Sequence, residues 1–436
     1  MSGRSTSLAV LTALALCTPA LAQEVQVAPL AAPDFFSTGA RETGLTAELW
    51  RGASGQTART VLPLLAAKPL SPAAQALTRR VLATGGSGPE GAGQDAGVAG
   101  ARISALIAQG GVKDAAAILS RTAGLEQNPV LAQAGAEAAL LSGDAEGACA
   151  ISDRLVAGRE EVYWLRLRAY CQLKSGNSGA AQLTFDLAQA QSRDPVYGRL
   201  MGAKLAGAGD PGEPSLRNGL DYALTRDLGL AVTGPSAPAV AAALAASPSG
   251  SATWTIEGGP GPVKAAMAAL AGGDLRTAQT LRASLTSDTI PGATITDLAL
   301  LDALLAAASG RADPQTLDRL IERGATADAK TRIRAQQGAL ILAALGGSMS
   351  PQARGQFAGF TAGETKAPAA RAFALDAAGV EKLQGETALL ALWISADAGP
   401  AGPAAGDRAR IIRALRAAGL EDDARAFAVE GLLGLR

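Results

Sequence analysis

The chain is predicted to be all-α, built from short helices paired into hairpins and stacked side by side. Three observations carry this. The apolar 48% of its 436 residues is mostly Ala and Leu, with only 3% aromatics, a composition that favours helix over sheet. Gly110, Gly143 and Gly176 lie 33 residues apart, each followed five residues later by Ala115, Ala148 or Ala181. Five dipeptides, Ser71-Pro72, Asn128-Pro129, Asp194-Pro195, Asp313-Pro314 and Ser350-Pro351, place a capping side chain before a proline whose missing N–H costs nothing in a first helical turn.

Taken in order, residues 1–22 read as a signal peptide. Arg4 supplies positive charge, Leu8 to Leu16 an apolar core, and Ala20-Leu21-Ala22 a small-x-small cleavage site. The mature chain is then expected in the periplasm or outside the cell, after cleavage near Ala22. The apolar run is shorter than the roughly 20 residues a spanning helix needs, so no transmembrane segment is expected in the mature chain. Residues 23–83 form a Pro- and Ala-rich lead followed by helices. In it Phe35 and Phe36 are expected to tuck onto the body, and Trp50 to pack from a short helix over Leu45 to Ala53. Residues 84–100, TGGSGPEGAGQDAGVAG, read as a Gly-rich linker.

From 101 to 232 the hairpins repeat. The clearest runs Glu160–Lys174 and Ser178–Gln191 around the break Ser175-Gly176-Asn177. A glycine there takes the left-handed conformation that ends the first helix, and the alanine lets the second approach closely. Gly209-Asp210 continues the period, but Pro211 and Pro214 forbid the second helix. Residues 233–263 are a Pro/Gly/Ser-rich excursion around a short Ala helix. Residues 264–436 resume as degenerate hairpins, with breaks at Gly273-Asp274, Gly310, Gly347 and Gly419, and a C-terminal capping helix carrying Leu432, Leu433 and Leu435.

These residues resemble the tetratricopeptide repeat family, whose unit is a 34-residue helix-turn-helix. Ala169, Gly176, Asn177, Ala181, Phe185 and Ala188 match its small, turn, small, aromatic and small positions in order; Ala136, Gly143, Asp144 and Ala148 match in the unit before, and Gly110 and Ala115 in the one before that. Leu165 stands where the family often has Trp. The resemblance implies a TPR-like α-solenoid with degenerate repeats, in which the first helix of each unit lines a concave groove. On that face lie Tyr163, Arg166 and Tyr170, an aromatic and Arg mixture suited to anchoring a partner. The whole chain also looks like a group of poorly characterised envelope proteins of high-GC bacteria, with the LWRG turn at Leu49 to Gly52 and Ala-rich hairpins after a signal peptide.

Cys149 and Cys171, on the second helix of one hairpin and the first of the next, either form a disulfide in an oxidising compartment or remain two small buried thiols.

The composition removes much chemistry. There is no histidine, which excludes Ser-His-Asp and Cys-His catalysis and His-ligated zinc. No Ser-x-x-Lys, Gly-Lys or Gly-x-Ser-x-Gly occurs. Two Gly-x-Gly-x-x-Gly strings, at 86–91 and 207–212, lack the strand before and helix after that would make a nucleotide loop. Glu160-Glu161 and Glu421-Asp422-Asp423 are acid groups at helix starts, where the dipole favours them, rather than catalytic pairs. Charges balance at 39 and 39, so nucleic-acid binding lacks its electrostatic footprint. The sequence reading is a non-enzymatic exported scaffold or assembly protein, with no cofactor and no metal, that binds protein partners of the cell envelope through a solenoid groove. An accessory role in an envelope machine, such as a flagellar motor, polymer exporter or cell-wall complex, is an alternative. A cell-wall glycosidase with a helical superhelix is a third, for which no compact catalytic domain is found.

Overall fold

Ala- and Leu-rich stretches punctuated by glycine fold as helices in the computed structural model, which describes residues 34–40, 42–234, 236–244, 261–285, 294–310 and 314–435. Residues 1–22, for which a signal peptide is expected, and Trp254 lie outside these. Among the described residues there are 21 α-helices, two 3₁₀ turns and no strand, and one isolated bridge, Ser54 with Glu90.

The N-terminal block holds α1 (Gly55–Ala67), α2 (Pro72–Ala83), α3 (Ala96–Ala108) and α4 (Val112–Leu119). The repeat arm follows as α5 (Pro129–Ser142), α6 (Ala145–Arg154), α7 (Val162–Lys174), α8 (Ser178–Gln191), α9 (Pro195–Ala206) and α10 (Gly219–Asp227). The short Ala helix of the excursion is α11 (Pro238–Leu244). The second half contains α12 (Pro262–Ala271), α13 (Leu275–Ala283), α14 (Ile295–Ser309), α15 (Pro314–Thr326), α16 (Ala329–Ala344) and α17 (Pro351–Ala358). It ends with α18 (Ala369–Val380), α19 (Gln384–Ala398), α20 (Ala405–Ala417) and α21 (Glu421–Leu433).

All five proline starts open a helix. Asp194 and Ser350 accept first-turn amides as caps, whereas Ser71 and Asn128 do not. The repeat glycines are left-handed, with φ of 91° at Gly110, 86° at Gly143, 82° at Gly176 and 105° at Gly209. The alanines five on, Ala115, Ala148, Ala181, Ala278 and Ala424, are all fully buried, because the second helix of each pair seats against the first through that position.

Three local expectations change. In the second half the left-handed glycine is Gly346 (φ 95°), one residue before Gly347. Residues 45–53 form successive turns instead of a helix, since the Leu49 carbonyl accepts from the Gly385 amide at the start of α19 (2.8 Å) and not from its own chain four residues on. Trp50 is nonetheless fully buried, edge-on to Phe36 at 5.6 Å. The Gly-rich stretch 84–100 is packed rather than a spacer: α3 starts inside it at Ala96, Ala92 is fully buried, and Gly86 donates to the Phe36 carbonyl with its Cα against the Ala47 backbone. Absence of a Cβ is what permits that approach.

The core divides in two. One apolar cluster runs through the N-terminal block and the whole second half, from Phe36 to Leu432; a smaller one spans the arm, from Ala132 to Leu224. Helix α1 packs on α19, and α2 on α19 and α21. The N-terminal helices therefore sit between the two sets of hairpins. Buried Arg102 ties the lead to this block by donating to the carbonyls of Leu82 and Thr84 (both 2.9 Å) and Thr38 (3.2 Å), with its guanidinium over the Phe36 ring.

Candidate binding groove

Tyr163, Arg166 and Tyr170 occupy positions i, i+3 and i+7 of α7 and so share one face. The structure brings them together there, with Trp164, Leu167 and Cys171 turned into the arm core. What lies over the face is the chain itself. Gly207, left-handed at φ 66°, ends α9. The prolines at 211 and 214 prevent a new helix until Asn218 caps α10, its side chain accepting from the Asp221 amide at 2.8 Å. Helix α10 then packs on α5 and α9, placing Leu220, Ala223 and Leu224 in the same cluster as Trp164 and Tyr170.

Each polar end on this face has a partner within the chain. The Tyr163 hydroxyl donates to Oε1 of Glu137 on α5 (2.9 Å), whose Oε2 accepts from the Gly219 amide at the start of α10 (2.6 Å). Burial pushes the Glu137 carboxyl up despite these two donors, and pushes the Tyr163 hydroxyl well up, with the adjacent carboxylate adding to it. Arg166 pairs with Asp194 (3.3 Å), donates to the Ser192 carbonyl (3.0 Å) and lies over the Tyr197 ring. Burial alone would raise Asp194, but Arg217, the Tyr197 amide and Arg166 together hold it below its ordinary range. Tyr170 is 1% exposed and donates to Asp227 on α10 (3.3 Å), which also meets Lys174 and Lys204.

The face that carries Tyr163, Arg166 and Tyr170 is thus occupied from within the chain, by Glu137 of α5 and Asp227 of α10 at the two tyrosines and by Ser192, Asp194 and Tyr197 at Arg166. Cys149 and Cys171 are joined as a disulfide, with their Cα atoms 5.5 Å apart, linking α6 of one hairpin to α7 of the next.

The clefts that lie elsewhere among the described residues include two at contacts between distant helices. One, of about 610 Å³, opens between α2, α12 and α21 and contains the Arg80–Asp423 pair at 2.5 Å. Burial raises the Asp423 carboxyl to about 6, against the pull of Arg80. The other, of about 500 Å³, lies between α16 and α20. Neither has a sequence signal, because each is made by helices far apart in the chain. Among the described residues no group of three His, Cys, Asp or Glu side chains is placed to hold a metal ion, and no helix is long and apolar enough to cross a membrane.

No family model, curated protein or solved structure matches this chain.

Proposed function

We propose that the chain is an exported, non-enzymatic scaffold or assembly protein that binds a protein of the cell envelope. Because the Tyr163, Arg166 and Tyr170 face of the arm is occupied from within the chain, this reading puts the contact surface on the outside of the helical pairs. One observation carries this reading. On α18, Phe373 is 69% and Val380 77% exposed, and Ala370, Ala374 and Ala377 on the same side are exposed too. Three turns of helix therefore present an uncharged face to solvent. A lone exposed apolar side chain is ordinary, but a continuous apolar face marks a contact surface. A smaller one occurs on α8, where Leu183 and Leu187 are 73% and 54% exposed. Export to the periplasm is supported by the signal-like segment at 1–22.

Affinity capture from native envelope with the tagged chain tests this, beside a Phe373→Glu/Val380→Glu variant. The variant should keep its melting temperature and lose the captured proteins. Identical capture by both chains overturns the placement on α18.

A further inference from the structure

The exposed face of α18 carries a pattern besides its apolarity. Ala370, Phe373, Ala377 and Val380 follow one another at intervals of three, four and three residues, and all are exposed. That is the seam spacing of paired helices. Small and large side chains alternate along it, and the pairs Ala370 with Val380 and Phe373 with Ala377 are both centred on Leu375. A two-fold axis passing over Leu375 therefore sets each large side chain of one copy opposite a small one of an antiparallel second copy. Ala374, on the same side and also exposed, gives room for close approach. A parallel copy would instead set Phe373 on Phe373 and leave Ala370 facing Ala370.

The two ends of the helix have complementary mismatches. Its first turn holds no acidic side chain and no side-chain cap, the N-cap being Pro368. Its C-cap is Glu381, an exposed carboxylate at the end where the dipole disfavours negative charge. At α1 and α2 the chain brings its own distant carboxylates, Glu386 and Glu430, to the helix starts; at α18 it brings none. In the antiparallel pair Glu381 of each copy reaches the first turn of the other, which removes both mismatches. Glu364 and Lys366 before the helix and Lys382 after it are exposed, so each end gathers two bases and one acid, which Glu381 balances. The charges beside the face are engaged within the chain: Arg371 meets Asp397 and lies over the Trp393 ring, and Asp376 meets Arg410 and Arg413. None of them lies on the seam.

We infer that a second copy of this chain covers the outer face of α18, by antiparallel pairing of that helix with itself. The inference rests on the protein-binding reading above and names the occupant of the same face; what is captured through α18 is first another copy, with whatever that copy carries. Three turns of helix per copy fall short of the roughly 800 Å² that each partner buries in a standard interface. The pair therefore forms and parts with concentration.

Sedimentation equilibrium of the full chain from about 1 to 200 µM, the range of weak interfaces, should show the mean mass rising from one chain toward two. Phe373→Ala and Ala377→Phe should each weaken pairing at least about 10-fold, the first by leaving gaps and the second by setting ring against ring. Phe373→Ala/Ala377→Phe exchanges large for small and should restore pairing to within about 3-fold of the parent. Glu381→Gln should weaken it about 3- to 10-fold, because the contact occurs twice. In a Cys17→Ser background, Ala370→Cys chains mixed with Val380→Cys chains should cross-link to each other on oxidation, and neither to its own kind. A chain that is monomeric throughout the range overturns the inference, as does pairing that Phe373→Ala leaves unchanged or cross-linking of Ala370→Cys to itself. A monomer whose envelope capture still depends on Phe373 and Val380 leaves the scaffold reading standing while the second copy falls. A dimer broken by Phe373→Glu/Val380→Glu with its envelope capture intact does the reverse.

Discussion

Glu430, near the end of α21, accepts a hydrogen bond from the amide of Ala73 in the first turn of α2 at 2.8 Å, across 357 residues of chain. Ser71, the residue placed to cap that helix, makes no such bond. The other Glu430 oxygen meets Arg408 at 2.5 Å, with both side chains under a tenth exposed. Glu386 on α19 does the same for α1, accepting from the Ser54 amide (2.9 Å) and the Thr57 hydroxyl (2.8 Å). Carboxylates suit helix starts, where free amides and the dipole both favour negative charge. Here they lock the N-terminal block to the second half.

Glu430→Ala should cost roughly 3 to 5 kcal/mol, because it strands a buried guanidinium and leaves the Ala73 amide unpaired. Arg408→Met combined with Glu430→Leu should recover much of that loss, as no charge is then left alone. Urea midpoints at constant slope would report both. A single variant as stable as the parent removes the lock.

Reduction of the Cys149–Cys171 bond, with a sequence separation of 22, should lower stability by about 3 kcal/mol through restored freedom of the unfolded chain. Melting curves with and without reductant would show it, and a Cys149→Ser/Cys171→Ser variant should be insensitive to reductant.

Tyr170→Phe and Arg166→Ala should each lower the stability read from urea unfolding, by about 1 kcal/mol for the lost hydroxyl bond to Asp227 and more for Arg166, whose removal leaves Asp194 with fewer donors. Amide exchange should quicken in α10 for Tyr170→Phe and in the first turn of α9 for Arg166→Ala. Unchanged exchange in α10 would mean that Tyr170 does not hold it.

Asp423 should make stability fall as pH rises from about 4 to about 6. Its folded value near 6 lies above the ordinary 3.8, so over this window the folded chain keeps a proton that the unfolded chain has released, and ionisation then penalises the fold. The full effect is about 3 kcal/mol. Subtracting the pH profile of Asp423→Asn from that of the wild type should isolate the slope; a difference that is flat across the window contradicts it.

Gly176 and Gly179 should respond in opposite directions to alanine. Neither would clash, since no atom lies within 4 Å of an added Cβ at either site. At Gly176, with φ 82°, alanine should cost about 1 kcal/mol for left-handed backbone. At Gly179, inside the first turn of α8, it should stabilise by about 0.5 to 1 kcal/mol by narrowing the unfolded ensemble.

The sequence by itself determined whatever depends on contacts a few residues long. Helix type follows from Ala and Leu content, starts from the five prolines, breaks from glycines at a period of 33, and close approach within each pair from Ala115, Ala148 and Ala181. It also put Tyr163, Arg166 and Tyr170 on one helical face. Only the tertiary structure decided what that face meets, because a pattern of spacing carries no information about distant helices. Pro211 and Pro214 announce that a helix is missing, but that α10 returns over Glu137 and Tyr170 depends on bonds formed after the turn. The same holds for the block 55–83, seated against α19 and α21 through Glu386 and Glu430, and for the segment 361–366, whose fastenings Gln336, Gly406 and Asp407 come from helices on either side of it.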